Sequence, residues 1–146
     1  QLVYSIVEED IAFGLENLGM ETNEMKNKVN QVMKGLNIEY LAKKNVNIIS
    51  AGQKQLAALA GILAMEPKYI VFDEPTTLLD NRNKKIIMGI INKLNKEGIG
   101  IILVTNLLND IKYAKNIIVM GNGKIIFNGK KSRLNKKILE KAGLDA

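Results

Sequence analysis

The chain has 146 residues, of which 47% are hydrophobic and 25% charged, and a formal net charge of +6. This is enough for one domain with a real core, and it excludes disordered, collagen-like and low-complexity classes. The chain contains no Cys and no His, which excludes disulfide scaffolds, thiolate metal sites and the commonest general base.

In chain order, residues 7–65 read as helical. Val7, Ile11, Phe13, Leu15 and Leu18 form an imperfect apolar face behind the acidic turn Glu8-Glu9-Asp10, and Gly19 stops that helix. Met25, Val29, Val32, Met33 and Leu36 follow at amphipathic helix spacing. Asn37 and residues 43–47 mark loops. Ser50-Ala51-Gly52-Gln53 opens a third helix, because Ser-x-x-Gln is a capping box. Its apolar stretch runs to Met65, and Pro67 ends it.

The character changes at Tyr69. Tyr69-Ile70-Val71-Phe72 is a continuous apolar run, which predicts a strand buried on both faces. Ile86, Ile87, Ile90, Ile91 and Leu94 predict a helix closed by Gly98. Ile99-Gly100-Ile101-Ile102-Leu103-Val104 predicts a second buried strand. Strand, helix, strand implies parallel pairing with a right-handed crossover. Residues 116–120 and 124–128 flank Gly121-Asn122-Gly123, a hairpin signal. A Lys-rich helix is predicted over 134–141. The fold class is therefore α/β in one compact unit, helical over about 1–66 and sheet-bearing over about 67–146.

Charge is placed unevenly along this order. Residues 1–25 hold six acids and no base, and residues 124–146 hold seven bases. Aromatic residues do not interleave with the bases, so the tail reads as a solvated face and nucleic acid is not an expected partner. No apolar run reaches the ~18–20 residues of a membrane span. No leader pattern opens the chain, and Gln1 is not a natural first residue, so a processed or truncated cytosolic form is expected.

Two stretches carry chemistry. Asp73-Glu74-Pro75 sits at the carboxyl end of the first apolar strand, the edge at which ligands bind in open α/β sheets. An Asp there suits Mg²⁺, and a neighbouring Glu can orient or deprotonate a water. The start of the third helix, Ser50-Ala51-Gly52-Gln53, offers free N–H groups and partial positive charge to an anion, and Gly52 would let a phosphate approach the backbone. Leu78-Leu79-Asp80 and Val104-Thr105-Asn106 are weaker signals of the same kind. The plainer alternatives are a solvated strand end and a purely structural cap.

The order and spacing of these stretches resemble the ATPase subunit of ABC transporters. Ile48-Ile49-Ser50-Ala51-Gly52-Gln53-Lys54-Gln55 is similar to the family's signature motif, with Ala51 in place of its second glycine. Val71-Phe72-Asp73-Glu74-Pro75 is similar to Walker B with the catalytic glutamate, and Leu79-Asp80 to the D-loop. Asn106 falls where the family's switch histidine stands. Val7-Glu8-Glu9-Asp10-Ile11-Ala12-Phe13-Gly14 and Ala60-Gly61-Ile62-Leu63-Ala64-Met65-Glu66-Pro67 are similar to the energy-coupling-factor branch, which takes up cobalt, nickel and vitamins.

The resemblance implies the C-terminal part of a P-loop NTPase domain: a helical subdomain, parallel βαβ strands and a C-terminal hairpin. It implies Mg-ATP as cofactor, Asp73 on Mg²⁺, Glu74 and Asn106 at the catalytic centre, and Ser50, Ala51, Gly52, Gln53 and Asp80 on ATP. It implies a second ATPase subunit, identical or different, a transmembrane partner, and a place on the cytoplasmic face of the cell membrane. No G-x-x-x-x-G-K-[ST] loop occurs in the chain, so the chain alone is expected to be inactive and its sheet to have an unpaired, association-prone edge. The alternative is a degenerate subunit that supplies a signature motif in trans and hydrolyses nothing.

Overall fold

The computed structural model describes residues 2–77 and 79–144. Gln1, read above as an unnatural start, and Leu78, read as part of the Leu78-Leu79-Asp80 loop, lie outside the described residues, with Asp145 and Ala146. The first half holds α1 (Val7–Asn17), α2 (Thr22–Gly35), a 3-10 turn over Glu39–Leu41, and α3 (Ala51–Ala64).

Val7, Ile11 and Leu15 recur every fourth residue of α1, and all three are fully buried. Phe13 and Leu18, predicted to share that face, do not. Phe13 lies two residues from both Ile11 and Leu15, about half a turn round the helix, and its ring meets Tyr4 edge-on at 5.8 Å. Leu18 lies past the last turn and is exposed. Asp10 is also buried, its carboxylate accepting the backbone N–H groups of Val3 and Tyr4. On α2, Val29 and Met33 enter the core and Met25, Val32 and Leu36 pack partly against it. With Ile38, Leu41, Val46, Ile49 and the small face of α3, these residues form the largest core cluster.

The second half begins with β1 (Tyr69–Asp73), α4 (Asn81–Lys96) and β2 (Gly100–Val104). The strands pair in parallel, from Tyr69 against Gly100 to Asp73 against Val104, as the strand–helix–strand order requires. Leu59 of α3 packs with Ile70 and Leu94. Ile87, Met88 and Ile91 of α4 pack with Phe72, Ile101 and Leu103; Met88 was not in the predicted face, and Ile86, which was, is exposed. Helices thus cover one face of this sheet.

The opposite face corrects the expectation of strands buried on both sides. Tyr69 is 77% exposed, Val71 62%, Ile102 59% and Val104 48%. Alternate strand residues point to opposite faces, and nothing among the described residues covers this one. A continuous apolar run states what a strand tolerates, not what lies over it.

β3 (Asn116–Gly121) and β4 (Lys124–Lys130) form the predicted antiparallel hairpin. Its two-residue turn, Asn122-Gly123, has φ of 50° and 71°, the left-handed pair that matches strand twist in tight hairpins. α5 (Lys136–Lys141) is shorter than predicted, because the Asn135 side chain accepts the N–H of Ile138 at 3.1 Å and caps the helix there.

Candidate functional site

Asp73 is the last residue of β1 and Glu74 the first beyond it, and both side chains are exposed. Glu74 has φ of 44°, a left-handed backbone that is uncommon for a residue with a side chain. Two bonds hold it there: its N–H donates to the Val104 carbonyl at 2.9 Å, and the Thr77 hydroxyl donates to its carboxylate at 3.0 Å. The ends of β1 and β2 are therefore locked side by side. Pro75 is buried, and its carbonyl accepts a hydrogen bond from the Gln55 amide of α3. Asn106, two residues past β2, is exposed at the same sheet end.

The start of α3 is a complete capping box. The Ser50 hydroxyl accepts from the Gln53 N–H at 3.3 Å, and the Gln53 side-chain oxygen accepts from the Ser50 N–H at 2.8 Å. Gln53 also donates to the Tyr40 hydroxyl at 3.4 Å. The Lys54 N–H reaches the Ser50 carbonyl at 2.8 Å. The N–H groups of Ala51 and Gly52 find no partner among the described residues. Two free amides at a helix N-terminus suit an anion.

Gly52 has a second role that its sequence did not suggest. A Cβ placed there would come within 2.9 Å of Asn83 Cγ. The space on the Cβ side of Gly52 is filled by a side chain of α4, and its backbone amide is the group that would serve a phosphate. Asn83 in turn is held by Asp80: its N–H and its side-chain amide each donate to that carboxylate at 2.8 Å. Asp80 is the N-cap of α4. The Asn83 N–H is the chief reason its carboxyl titrates below the ordinary aspartate value. Asp80 and the Ser50–Gln53 turn are thus joined within one chain through Asn83.

The sequence reasoning missed three participants. Gln55 and Asn83 tie α3 to β1 and α4. Asp110, 6% exposed, accepts at one oxygen from both Thr76 and Thr105, each at 3.0 Å. An Asp four residues past Asn106 carries no local signal; only the fold brings it to Thr76.

Chemically, the arrangement offers two open carboxylates at a strand end and two free amides at a helix start. Among the described residues no three of Asp, Glu, His and Cys gather to hold a metal. A hard cation at Asp73 would therefore take most of its oxygens from a phosphate ligand and water, which is the habit of Mg²⁺.

Known proteins resemble this chain. Residues 3–77 match the family described as ABC transporter. The energy-coupling factor transporter ATP-binding protein EcfA1 of Clostridium novyi is 42% identical, over 99% of this chain and 53% of its own length. The structure of cbiO1 from Clostridium perfringens, part of the ABC transporter complex cbiONQ, aligns with a TM-score of 0.82 at 34% identity, over 99% of this chain and 59% of that one. A dimeric ATP-binding cassette in a post-hydrolysis state, bound to ADP and Pi, aligns with a TM-score of 0.77 at 27% identity, over 89% of this chain and 59% of that one. The chain spans about half the length of the curated relatives it matches.

Proposed function

The chain belongs to the ABC transporter family, and on that premise we propose that it is the signature-bearing part of an ATP-hydrolysing subunit that powers an energy-coupling-factor importer of a metal ion or vitamin. Its partners are a second ATPase subunit, identical or different, and a transmembrane component at the cytoplasmic face of the membrane. No helix among the described residues is long and apolar enough to cross a membrane itself.

In this reading the amides of Ala51 and Gly52, with Ser50 and Gln53, receive the terminal phosphate of an ATP held chiefly by the second subunit. Asp73 holds Mg²⁺. When bound, Mg²⁺ neutralises charge on the phosphate oxygens. Glu74 orients the attacking water and accepts its proton. Asn106 lies at the switch position, where its amide can donate or accept a hydrogen bond but take up no proton. Asp80 relays between the two sites of the dimer.

One observation carries the proposal: the open Asp73–Glu74 pair, fixed at the strand end by the bond from Glu74 to Val104. The test is Glu74→Gln in the protein at its native length. ATP turnover is expected to fall about 10²-fold or more, and retention of substantial turnover overturns the proposal.

Asn106 favours a second reading, a subunit that lends its signature helix in trans and hydrolyses nothing. The capping box of α3 forms within this chain, which supports such a role. On this reading the chain raises the ATPase rate of a competent partner, and Glu74→Gln in this chain leaves that rate unchanged.

A further inference from the structure

We infer that Asp110 is a positioning residue that sets Asn106 and Glu74 against each other, a role that rests on the ATPase reading above. The Thr76 side chain is 0% exposed and lies two residues past Glu74. Thr105 lies directly before Asn106. One oxygen of Asp110 accepts from both hydroxyls, each at 3.0 Å, across sequence separations of 34 and 5 residues.

The direction of the protons gives this clasp its meaning. The Thr105 hydroxyl also accepts the N–H of Leu107 at 3.0 Å. Its proton points to Asp110, so its lone pair is free to face Leu107. Thr105 and Leu107 are thereby closed over Asn106, which sits in the turn between them. The same carboxylate oxygen orients Thr76, in the loop whose start carries Glu74. Glu74 is already joined to β2 by its N–H on Val104. The backbone bond and the carboxylate clasp together form a closed ring: Glu74, Val104, Thr105, Asp110, Thr76 and back to Glu74. Small displacements of such groups are costly to a reaction, about 10²-fold for an ångström.

A purely structural role would lower stability and leave the active fraction's chemistry alone. A positioning role changes turnover in folded protein. The experiment is steady-state ATP hydrolysis by the protein at its native length, for wild type, Asp110→Ala, Asp110→Asn and Glu74→Gln, with the folded fraction of each measured by thermal melting. Asp110→Ala is expected to lower kcat about 10-fold or more, with KM within about twofold. Asp110→Asn is expected to recover most of that loss, because an amide oxygen still accepts two hydroxyls. The other carboxylate oxygen makes no hydrogen bond among the described residues, so an amide nitrogen in its place breaks none.

Wild-type kcat in Asp110→Ala, with Glu74→Gln inactive, overturns the clasp and leaves the ATPase reading standing. Equal losses in Asp110→Ala and Asp110→Asn also overturn it. Turnover that survives Glu74→Gln removes the ATPase reading, and the clasp with it. If Asp110→Ala does not fold, Thr105→Val decides: a folded variant with reduced kcat supports the clasp, and one with wild-type kcat overturns it.

Discussion

The helical half and the strand half solve the burial problem differently. In the first half, apolar residues meet one another: Val7, Ile11, Leu15, Met33, Ile38 and Leu41 are among the largest fully buried side chains, and among the described residues the only such one beyond α3 is Thr76. In the second half, β1 and β2 bury one face on α3 and α4 and leave Tyr69, Val71, Ile102 and Val104 open. The first half is held by side-chain packing. The second half has smaller buried clusters, with strand pairing and a few polar links at the sheet end. Apolar composition is a poor guide to where stability resides; coverage decides it.

The largest expected effect follows from that contrast. Ile11→Ala should cost about 2–5 kcal/mol, because it empties a filled site between α1 and α3. Val71→Thr should cost within about 0.5 kcal/mol, as a change on an exposed strand face. Urea unfolding of both variants measures the difference. If Val71→Thr costs as much as Ile11→Ala, the open face is covered in solution by self-association, and the contrast between the halves fails.

A smaller effect tests the joint between the halves. Gly52→Ala should cost about 1 kcal/mol, since its methyl must displace Asn83 from Asp80. Adding Asn83→Ala should remove most of that cost. A double-mutant cycle reads the coupling; additive costs would mean that α3 and α4 are not keyed at this point.

The smallest effect is electrostatic. The folded-state pKa of Asp80 is lowered, chiefly by the Asn83 N–H. The cap's contribution is therefore present above the unfolded carboxylate value of ~3.9 and is lost as pH falls through the lower folded value. Wild type should exceed Asp80→Asn in urea midpoint at pH 7, and the gap should close in acid. A gap that stays constant into acid would show that the charge does not matter to the cap.

How much of this was legible in the sequence depended on distance along the chain. The capping box of α3 needs only Ser50 and Gln53, three residues apart, and both its bonds form. The Asn122-Gly123 turn and the parallel pairing were equally local, set by turn residues and by the helix between the strands. Phe13 was misplaced because an apolar residue two positions off the stripe still satisfies a loose count. The links that assemble the candidate site were silent: Gln55 to Pro75, Gly52 to Asn83, and Thr76 to Asp110 each join residues at least 20 apart. None follows a period, and polar residues in loops look alike until the fold selects a few. Exposure of the second sheet face was silent for another reason, because it depends on what stands outside these strands.

The backbone at Glu74 has a consequence for anyone seeking a hardier protein. A left-handed residue with a side chain costs on the order of 1 kcal/mol or more, whereas glycine takes that conformation freely. A laboratory selection that rewards only heat resistance will therefore drift toward glycine at position 74 and discard the carboxylate on the way. On the proposed function, selection for turnover pulls the other way. If the proposed catalytic role holds, the residue just past β1 records a compromise, and a library built on this scaffold should hold position 74 fixed.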